Sequence, residues 1–222
     1  MGKLPWQHYF WDFDGTIMDT YPVTIQCCVA LARSYGLEVQ PERARALMLD
    51  TLNVCITTLA AEAGIPEEQF RTELWDRLLH VPATAYQPIP GIPALIRRLK
   101  ASGADHYLVT NRDLSALDML QTAGILDCFT DWVTVENGFP VKPDPSGVRY
   151  LLEKHQLDPE DCVMLGDRPL DVQAGYGAGM AGLLLDPFDL FPQEPCQLRA
   201  SSPQEWVDYL LPDPEVNPCE AN

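Results

Sequence analysis

The chain has 222 residues with 15 basic and 32 acidic side chains, which gives a formal net charge of −17 (15 minus 32) and a pI near 4.4. A protein that neutralises a phosphodiester backbone normally carries a basic patch or stripe, so we expect no nucleic-acid partner. Hydrophobic residues make up 46% of the chain and charged residues 21%, which is a globular composition and excludes disorder of the whole chain.

The seven cysteines are odd in number and include no C-x-x-C pair, which argues against a structural zinc site and against a disulfide framework. The N-terminal residues lack the apolar run of a signal peptide, and no stretch of 18 apolar residues occurs anywhere, so we expect no membrane association. The sequence therefore predicts a reduced, cytoplasmic protein, and it leaves open whether the protein is a monomer or a homodimer.

The first part of the chain predicts one strand and then only helices. Residues 8–13 are rich in aromatic side chains and end at Asp14-Gly15, which is typical of a short buried strand followed by a turn. Apolar residues then recur every three or four positions, and Gly36 and Gly64 are suitable helix stops. The predicted helices span 21–35, 41–63 with a break near Asp50, and 66–80, and a proline-rich connector covers 81–91.

The second part alternates short apolar runs with helical patterns, which predicts crossover connections and a parallel sheet. The predicted strands are 106–110, 131–135, 162–166 and 181–185, and the predicted helices are 92–101, 115–123, 145–155, 171–176 and 202–211. We therefore predict an α/β fold, a Rossmann-like three-layer core with a parallel sheet and an inserted α-helical domain. The core would comprise 1–16 and 86–222, the inserted domain 17–85, and the end of the chain from Pro212 a loose tail.

Polar residues follow four of the predicted strands, where an open α/β sheet binds its ligands. They are Asp12-Phe13-Asp14-Gly15-Thr16, Thr110-Asn111, Lys142-Pro143, and Gly166-Asp167 with Asp171. So many carboxylates in one place repel each other unless a cation is present, and oxygen ligands favour Mg²⁺, usually with a phosphate partner. Thr110, Asn111, Lys142 and the amides of the Gly15 turn are suitable donors to phosphate oxygens. Each motif alone also occurs as a turn or a helix cap, but chance seldom produces all four in this order.

Taken together, these motifs resemble those of the haloacid dehalogenase (HAD) superfamily. The similarity is to its phosphoglycolate phosphatase-like branch, which carries a helical cap between the first and second motifs. It covers nearly the whole chain up to about Leu185. The resemblance implies that the inserted helical domain is such a cap, which reads the leaving group of the substrate.

The resemblance also implies a role for each motif residue. Asp12 would be the nucleophile that forms an aspartyl-phosphate, and Asp14 the general acid and then the general base. Mg²⁺ would be held by the Asp12 carboxylate, the Asp14 main-chain carbonyl and Asp167, with Asp171 acting through a bound water or by orienting the ligands. Thr110 and Lys142 would hold the phosphoryl oxygens. Substrate binding would be completed by Gly15, Thr16, Asn111 and Arg112.

These roles predict a Mg²⁺-dependent phosphatase acting on a small phosphate monoester, because relatives that displace halide or cleave a phosphonate lack a carboxylate at the position of Asp14. A phosphosugar mutase of the same superfamily is the first alternative. However, residues 49–56 in the middle of the predicted cap contain no basic residue, and Thr24 stands near the position where mutases carry a histidine. A ligand-binding protein without catalysis is the second alternative. A response-regulator receiver domain is disfavoured because its acidic pair and phosphoacceptor lie on separate strands.

The identity of the small phosphorylated metabolite is not encoded in these motifs. In the predicted cap, Thr51, Asn53 and Thr57 would offer neutral hydrogen bonds to a polar substrate, or would face solvent or cap a helix. Arg112 and Arg168 would either contact an anionic part of the substrate or pair with a local carboxylate.

Overall fold

The structure is a computed structural model that describes residues 4–211, so the predicted tail from Pro212 and Cys219 lie outside the described residues. Within these residues, contacts divide the chain into two compact units, one formed by 4–18 and 88–211 and the other by Asp19–Gln87. The predicted boundaries, after residues 16 and 85, each lie two residues earlier. The difference arises because the chain passes between the units through two-residue strands that pair with each other, a pairing too short to leave a sequence pattern.

The strands are β1 (His8–Trp11), β2 (Met18–Asp19), β3 (Gln87–Pro88), β4 (Asp105–Val109), β5 (Phe129–Val133), β6 (Cys162–Gly166), β7 (Ala181–Leu185) and β8 (Leu198–Ala200). The α-helices are α1 (Tyr21–Ser34), α2 (Pro41–Asp50), α3 (Leu52–Ala63), α4 (Glu67–Leu79), α5 (Ile92–Ala101), α6 (Ser115–Thr122), α7 (Ser146–His155), α8 (Pro169–Gly177) and α9 (Pro203–Leu210). Single 3-10 turns occur at Ala83–Ala85, Leu126–Cys128, Val135–Asn137 and Pro159–Asp161.

The core unit is built on a six-stranded sheet in the order β5-β4-β1-β6-β7-β8, in which every neighbouring pair is parallel. Trp11, the last residue of β1, is in register with Leu108 of β4 and Leu165 of β6. The backbone N–H of Asp12 then donates to the carbonyl of Leu165 at 2.8 Å. The residues that follow β1, β4 and β6 therefore lie side by side at one edge of the sheet.

Helices cover both faces of this sheet, which explains why β1 is apolar at successive positions rather than alternating. Phe10 and Tyr107 belong to one buried cluster with Val148 of α7 and Ala174 of α8. On the opposite face, the Trp11 ring packs against Trp206 of α9 at a centroid distance of 6.2 Å. The prediction of an α/β, three-layer, parallel-sheet core is confirmed.

The helical unit has its own hydrophobic core. Its buried members include Cys28, Leu31, Ala44, Ile56, Phe70 and Leu74, which come from α1, α2, α3 and α4. The predicted break near Asp50 is confirmed, because Thr51 has extended backbone and its hydroxyl accepts from the N–H of Val54 at 3.0 Å as the cap of α3. No helix among the described residues is long and apolar enough to cross a membrane.

The sequence pattern missed β8 in the proline-rich segment that follows β7. This strand is only three residues long and contains Arg199 at its centre, so it shows neither the length nor the apolar pattern of a strand. It forms because its register with β7 pairs Leu183 with Leu198 and Leu185 with Ala200. Tertiary pairing has determined the local structure here.

Candidate active site

The centre of the site is a buried ion pair between Asp12 and Lys142. The Lys142 Nζ atom lies 2.5 Å from Asp12 Oδ1 and 2.6 Å from Asp171 Oδ1. The Lys142 side chain is only 3% exposed, so its ammonium group is satisfied almost wholly by these two carboxylates. Residues that are 130 positions apart in the chain thus meet because both follow the carboxyl edge of the sheet.

Burial and neighbouring charges shift the pKa of both Asp12 and Lys142. Burial raises the pKa of Asp12, the negative charge of Asp171 raises it further, and Lys142 lowers it, with a net rise to about 7. For Lys142, burial acts to lower the pKa, but the carboxylates of Asp12 and Asp171 outweigh it and the pKa is raised. The ammonium form of Lys142 is therefore the form that the folded protein favours.

Asp171 uses its two carboxylate oxygens for different tasks. Oδ1 faces Lys142, and Oδ2 accepts from the backbone N–H of Arg168 at 3.1 Å, where α8 begins. From its sequence position this residue could also cap the helix that follows, and in the structure the capping contact and the contact with Lys142 coexist. Gly166 at the end of β6 allows the Asp171 carboxylate to lie this close to the backbone, because a methyl group at position 166 would overlap that carboxylate.

Asp12, Asp167 and Asp171 form an acidic triad that can accept a divalent cation. One carboxylate oxygen from each residue lies within 4.8 Å of the others, and Asp12 and Asp171 are buried. Three carboxylates and the Lys142 ammonium leave a formal charge of −2 (3 minus 1), which a divalent cation would balance. Carboxylate oxygens are the donors that hard cations such as Mg²⁺ prefer, so the residues present fit the predicted ion.

The turn after β1 is held together by its own backbone. Gly15 adopts a φ of +83°, a conformation that favours glycine, and its N–H donates to the Met18 carbonyl at 2.8 Å. The Thr16 N–H donates to the Phe13 carbonyl, and the Thr16 hydroxyl donates to Asp12 Oδ2 at 3.1 Å. Thr16 therefore orients the Asp12 carboxylate. Both amides are engaged within the turn, so the assignment of Gly15 and Thr16 to phosphate binding stays a prediction.

The segment after β4 connects to two other parts of the site. Thr110 is buried, and its hydroxyl accepts from the backbone N–H of Arg112 at 3.0 Å. Asn111 contacts the main chain of Lys142 twice, because its Oδ1 accepts from the Lys142 N–H at 3.0 Å and its Nδ2 donates to the Lys142 carbonyl at 3.5 Å. The side chain predicted to bind phosphate thus holds the backbone of the central lysine.

Arg112, also predicted to bind substrate, pairs with Asp14. Its Nε lies 3.0 Å from Asp14 Oδ1 and 3.1 Å from Oδ2, and its Nη2 lies 2.6 Å from Oδ1. Of the two roles that the sequence left open for Arg112, the structure shows the pairing with a local carboxylate. No sequence signal identifies this pair, because 98 residues separate its members.

The three polar residues predicted to face a substrate in the helical unit are bonded within that unit. Thr51 caps α3, and the Thr57 hydroxyl donates to Glu67 Oε2 at 2.9 Å. Asn53 Oδ1 accepts from Nη1 of Arg71 at 2.9 Å. Arg71 on α4 thereby lies beside a segment whose own sequence contains no basic residue.

Asp186 follows β7 and is a further buried strand-end carboxylate, which the motifs did not include. It accepts from the backbone N–H groups of Leu190 and Phe191 at 2.8 and 2.9 Å and from Arg199 at 3.1 Å. Burial acts to raise its pKa, but these donors outweigh it and the pKa is lowered. Its contacts stabilise the loop after β7, so its position at a strand end does not by itself make it part of the site.

Comparisons with known proteins find phosphatases of similar sequence and proteins of similar fold. The chain is 28% identical over 178 residues to the phosphoglycolate phosphatase of Vibrio cholerae. The aligned segment covers 76% of this chain and 79% of that protein. It is 27% identical over 186 residues to the N-acetylmuramic acid 6-phosphate phosphatase of Pseudomonas aeruginosa, and this alignment covers 81% of both proteins. In fold it is similar to a candidate beta-phosphoglucomutase of Thermotoga maritima, with a TM-score of 0.75, 22% identity, and coverage of 92% of this chain and 98% of that one.

A family model described as haloacid dehalogenase-like hydrolase matches residues 9–184, which contain every motif residue discussed above. The matched segment is 176 of the 222 residues (184 minus 8), well over half of the chain. The match confirms both the predicted family and the prediction that the protein is an enzyme. The chain belongs to the haloacid dehalogenase-like hydrolase family.

Proposed function

We propose that this hydrolase is a Mg²⁺-dependent phosphatase that cleaves a small phosphate monoester through an aspartyl-phosphate on Asp12. The observation that carries the proposal is the buried contact of 2.5 Å between Asp12 and the Lys142 ammonium. A carboxylate and a dianionic phosphate repel each other, so attack requires positive charge beside them. Lys142 supplies one such charge.

The residues of the site support a two-step reaction. In the first step an oxygen of Asp12 attacks phosphorus, and the bond to the alcohol oxygen breaks while Asp14 gives that oxygen a proton. In the second step Asp14 takes a proton from water, the water oxygen attacks phosphorus, and the acyl phosphate bond to Asp12 breaks. The Thr16 hydroxyl orients Asp12 for attack, and Thr110 is proposed to contact the phosphoryl group with Lys142.

The proposed metal site comprises Asp12, Asp167 and Asp171, together with the main-chain carbonyl of Asp14. When bound there, Mg²⁺ would supply charge neutralisation for the phosphoryl group and for the clustered carboxylates. Asp171 contributes through its position, since the contacts of its two oxygens with Lys142 and the N-terminus of α8 fix its carboxylate.

The substrate is proposed to be a small phosphorylated metabolite. The two relatives named above are phosphatases of phosphoglycolate and of N-acetylmuramic acid 6-phosphate, which supports this class without selecting a member. The helical unit, Asp19–Gln87, is proposed to serve as the cap that recognises the leaving group. The protein is further proposed to act in the cytoplasm as a monomer or homodimer.

The test compares wild type with Asp12→Asn in the release of phosphate from p-nitrophenyl phosphate, with added Mg²⁺ or with chelator. We expect release by the wild type only with Mg²⁺ and none by Asp12→Asn. Asp118→Asn on the exposed side of α6 is the matched control and should retain full activity. Full activity of Asp12→Asn would refute the proposal. Isomerisation of a sugar phosphate, stimulated by a sugar bisphosphate and without net phosphate release, would identify a mutase instead.

A further inference from the structure

The contact between Arg112 and Asp14 has the geometry of a dedicated clamp. Three nitrogen–oxygen distances of 2.6 to 3.1 Å join the guanidinium to both carboxylate oxygens, which is the two-point recognition that arginine provides and lysine does not. The Arg112 side chain is 13% exposed and that of Asp14 33%, so the pair is partly shielded from water. Such a pair restricts the carboxylate far more than a surface contact does.

Arg112 is itself held from several directions. Its backbone N–H donates to the Thr110 hydroxyl at 3.0 Å, and its carbonyl accepts from the N–H of Val135 at 3.1 Å. Its guanidinium carbon lies 5.8 Å from the centre of the Phe13 ring, a cation–π distance. The clamp therefore extends from a hydrogen-bonded segment after β4 to Asp14 in the turn after β1, the residue that the proposed reaction uses for proton transfer.

We propose that Arg112 is a positioning residue for Asp14 and not an anchor for an anionic group of the substrate. The inference rests on the proposed function, because it assigns Arg112 a role through the proton-transferring residue of that reaction. Arg112 places the Asp14 carboxylate within reach of the leaving oxygen and of the attacking water, where a displacement of about 1 Å can cost roughly 100-fold in rate.

The first test is a double-mutant cycle with Arg112→Met, Asp14→Asn and the double variant, using p-nitrophenyl phosphate, which carries no second anionic group. We expect Arg112→Met to lower kcat roughly 10- to 100-fold with KM changed less than about threefold. In the Asp14→Asn background the same change should alter kcat less than about twofold. Losses that multiply in the double variant would show that Arg112 does not act through Asp14 and would overturn the proposal.

A second test adds back, as a free ion, the guanidinium group that the variant Arg112→Ala lacks. In Arg112→Ala, added guanidinium ion is expected to restore part of kcat, whereas methylammonium of the same concentration is not, because only guanidinium offers a planar two-point donor. Guanidinium should restore nothing in Arg112→Ala combined with Asp14→Asn. Equal effects of both ions, or rescue without Asp14, contradict a clamp. Arg112→Lys provides a second variant if either of the others fails to fold, and it should retain less than about a tenth of kcat.

The substrate dependence separates the two roles of Arg112 directly. A positioning residue lowers kcat for p-nitrophenyl phosphate and for phosphoglycolate alike, whereas an anchor raises KM only for phosphoglycolate, which carries a carboxylate. The second pattern would overturn the proposal. If instead the wild type releases no phosphate with Mg²⁺, or Asp14→Asn is fully active, the proposed function fails. In that case the nitrogen-15 NMR signal of the Arg112 Nε–H group still tests the clamp. A signal that shifts in Asp14→Asn supports the contact between the two side chains, and an unchanged signal contradicts it.

Discussion

Removal of the Lys142 ammonium group should strongly destabilise the folded protein. The change Lys142→Met keeps the length of the side chain but leaves Asp12 and Asp171 facing each other without the ammonium group. At an effective dielectric constant of about 20, each contact of 2.5 or 2.6 Å represents about 6 to 7 kcal/mol of Coulomb energy before desolvation is counted. Much of that energy is offset by the cost of burying the charges, so the expected loss of unfolding free energy is about 3 to 5 kcal/mol.

The matched control is Lys154→Met, which removes the same group from an ion pair of similar length. Lys154 Nζ lies 2.7 Å from Asp131 Oδ2, but its side chain is 46% exposed, so water replaces the lost contact and the effect should be much smaller. The two variants remove the same group, but Lys142 is buried between two carboxylates and Lys154 is half exposed beside one.

The assay is urea unfolding in the presence of a chelator, followed by tryptophan fluorescence. A Trp75→Phe background removes the tryptophan of the helical unit, so that the signal comes from the core unit. Adding Asp12→Asn to Lys142→Met should recover part of the loss, because one of the two unbalanced carboxylates becomes neutral. A loss in Lys142→Met no larger than in Lys154→Met would refute the electrostatic account of the site.

Further predictions concern the neighbours of the ion pair and the pH dependence of stability. Gly166→Ala should raise the Mg²⁺ concentration for half-maximal activity at least about tenfold, because its methyl group displaces Asp171; an unchanged Mg²⁺ titration would contradict this. Asn111→Ala should lower kcat about tenfold by releasing the main chain of Lys142, and steady-state kinetics check it. Burial lowers the pKa of His106 to about 4, so the unfolded chain protonates this side chain first and its contribution to stability should fall by up to about 3 kcal/mol as the pH drops from about 6.5 to 4. The raised pKa of Asp12 acts in the opposite direction, so the His106 contribution is the difference between wild type and His106→Gln in urea unfolding near pH 7.5 and near pH 5; equal changes in both proteins would contradict it.

The strand ends of the core unit could be predicted from the sequence because two rules are sufficient for them. Apolar runs alternating with helical patterns give a parallel sheet, and parallel strands bring their carboxyl ends to one edge. Asp12 and Asp167 directly follow β1 and β6, whereas Lys142 lies in the loop after β5 and gained weight only in combination with the other motifs; the structure brings these residues and Asp171 together. Their catalytic and metal-binding roles stay predictions until they are tested.

The contacts that connect these residues could not be predicted, because they depend on side-chain direction across long sequence separations. Asn111 was expected to face phosphate, but its amide matches the two polar groups of the Lys142 backbone 31 residues away. For Arg112 the sequence leaves two roles open, contact with the substrate or pairing with a local carboxylate, and the fold sets its charge against Asp14. In both cases residue type was informative about chemistry but not about which partner the side chain would find.

The most direct test of the central claim is the trapping of the covalent intermediate. Asp14→Asn, in which the second step should be slow, is mixed with p-nitrophenyl phosphate and Mg²⁺, treated with borohydride and digested for mass spectrometry. Because borohydride reduces an acyl phosphate to the alcohol, the account predicts homoserine at position 12 and at no other aspartate. Release of phosphate by the wild type, with Asp12 unmodified in the trapped variant or with the label on another aspartate, would contradict the assignment of Asp12 as the nucleophile.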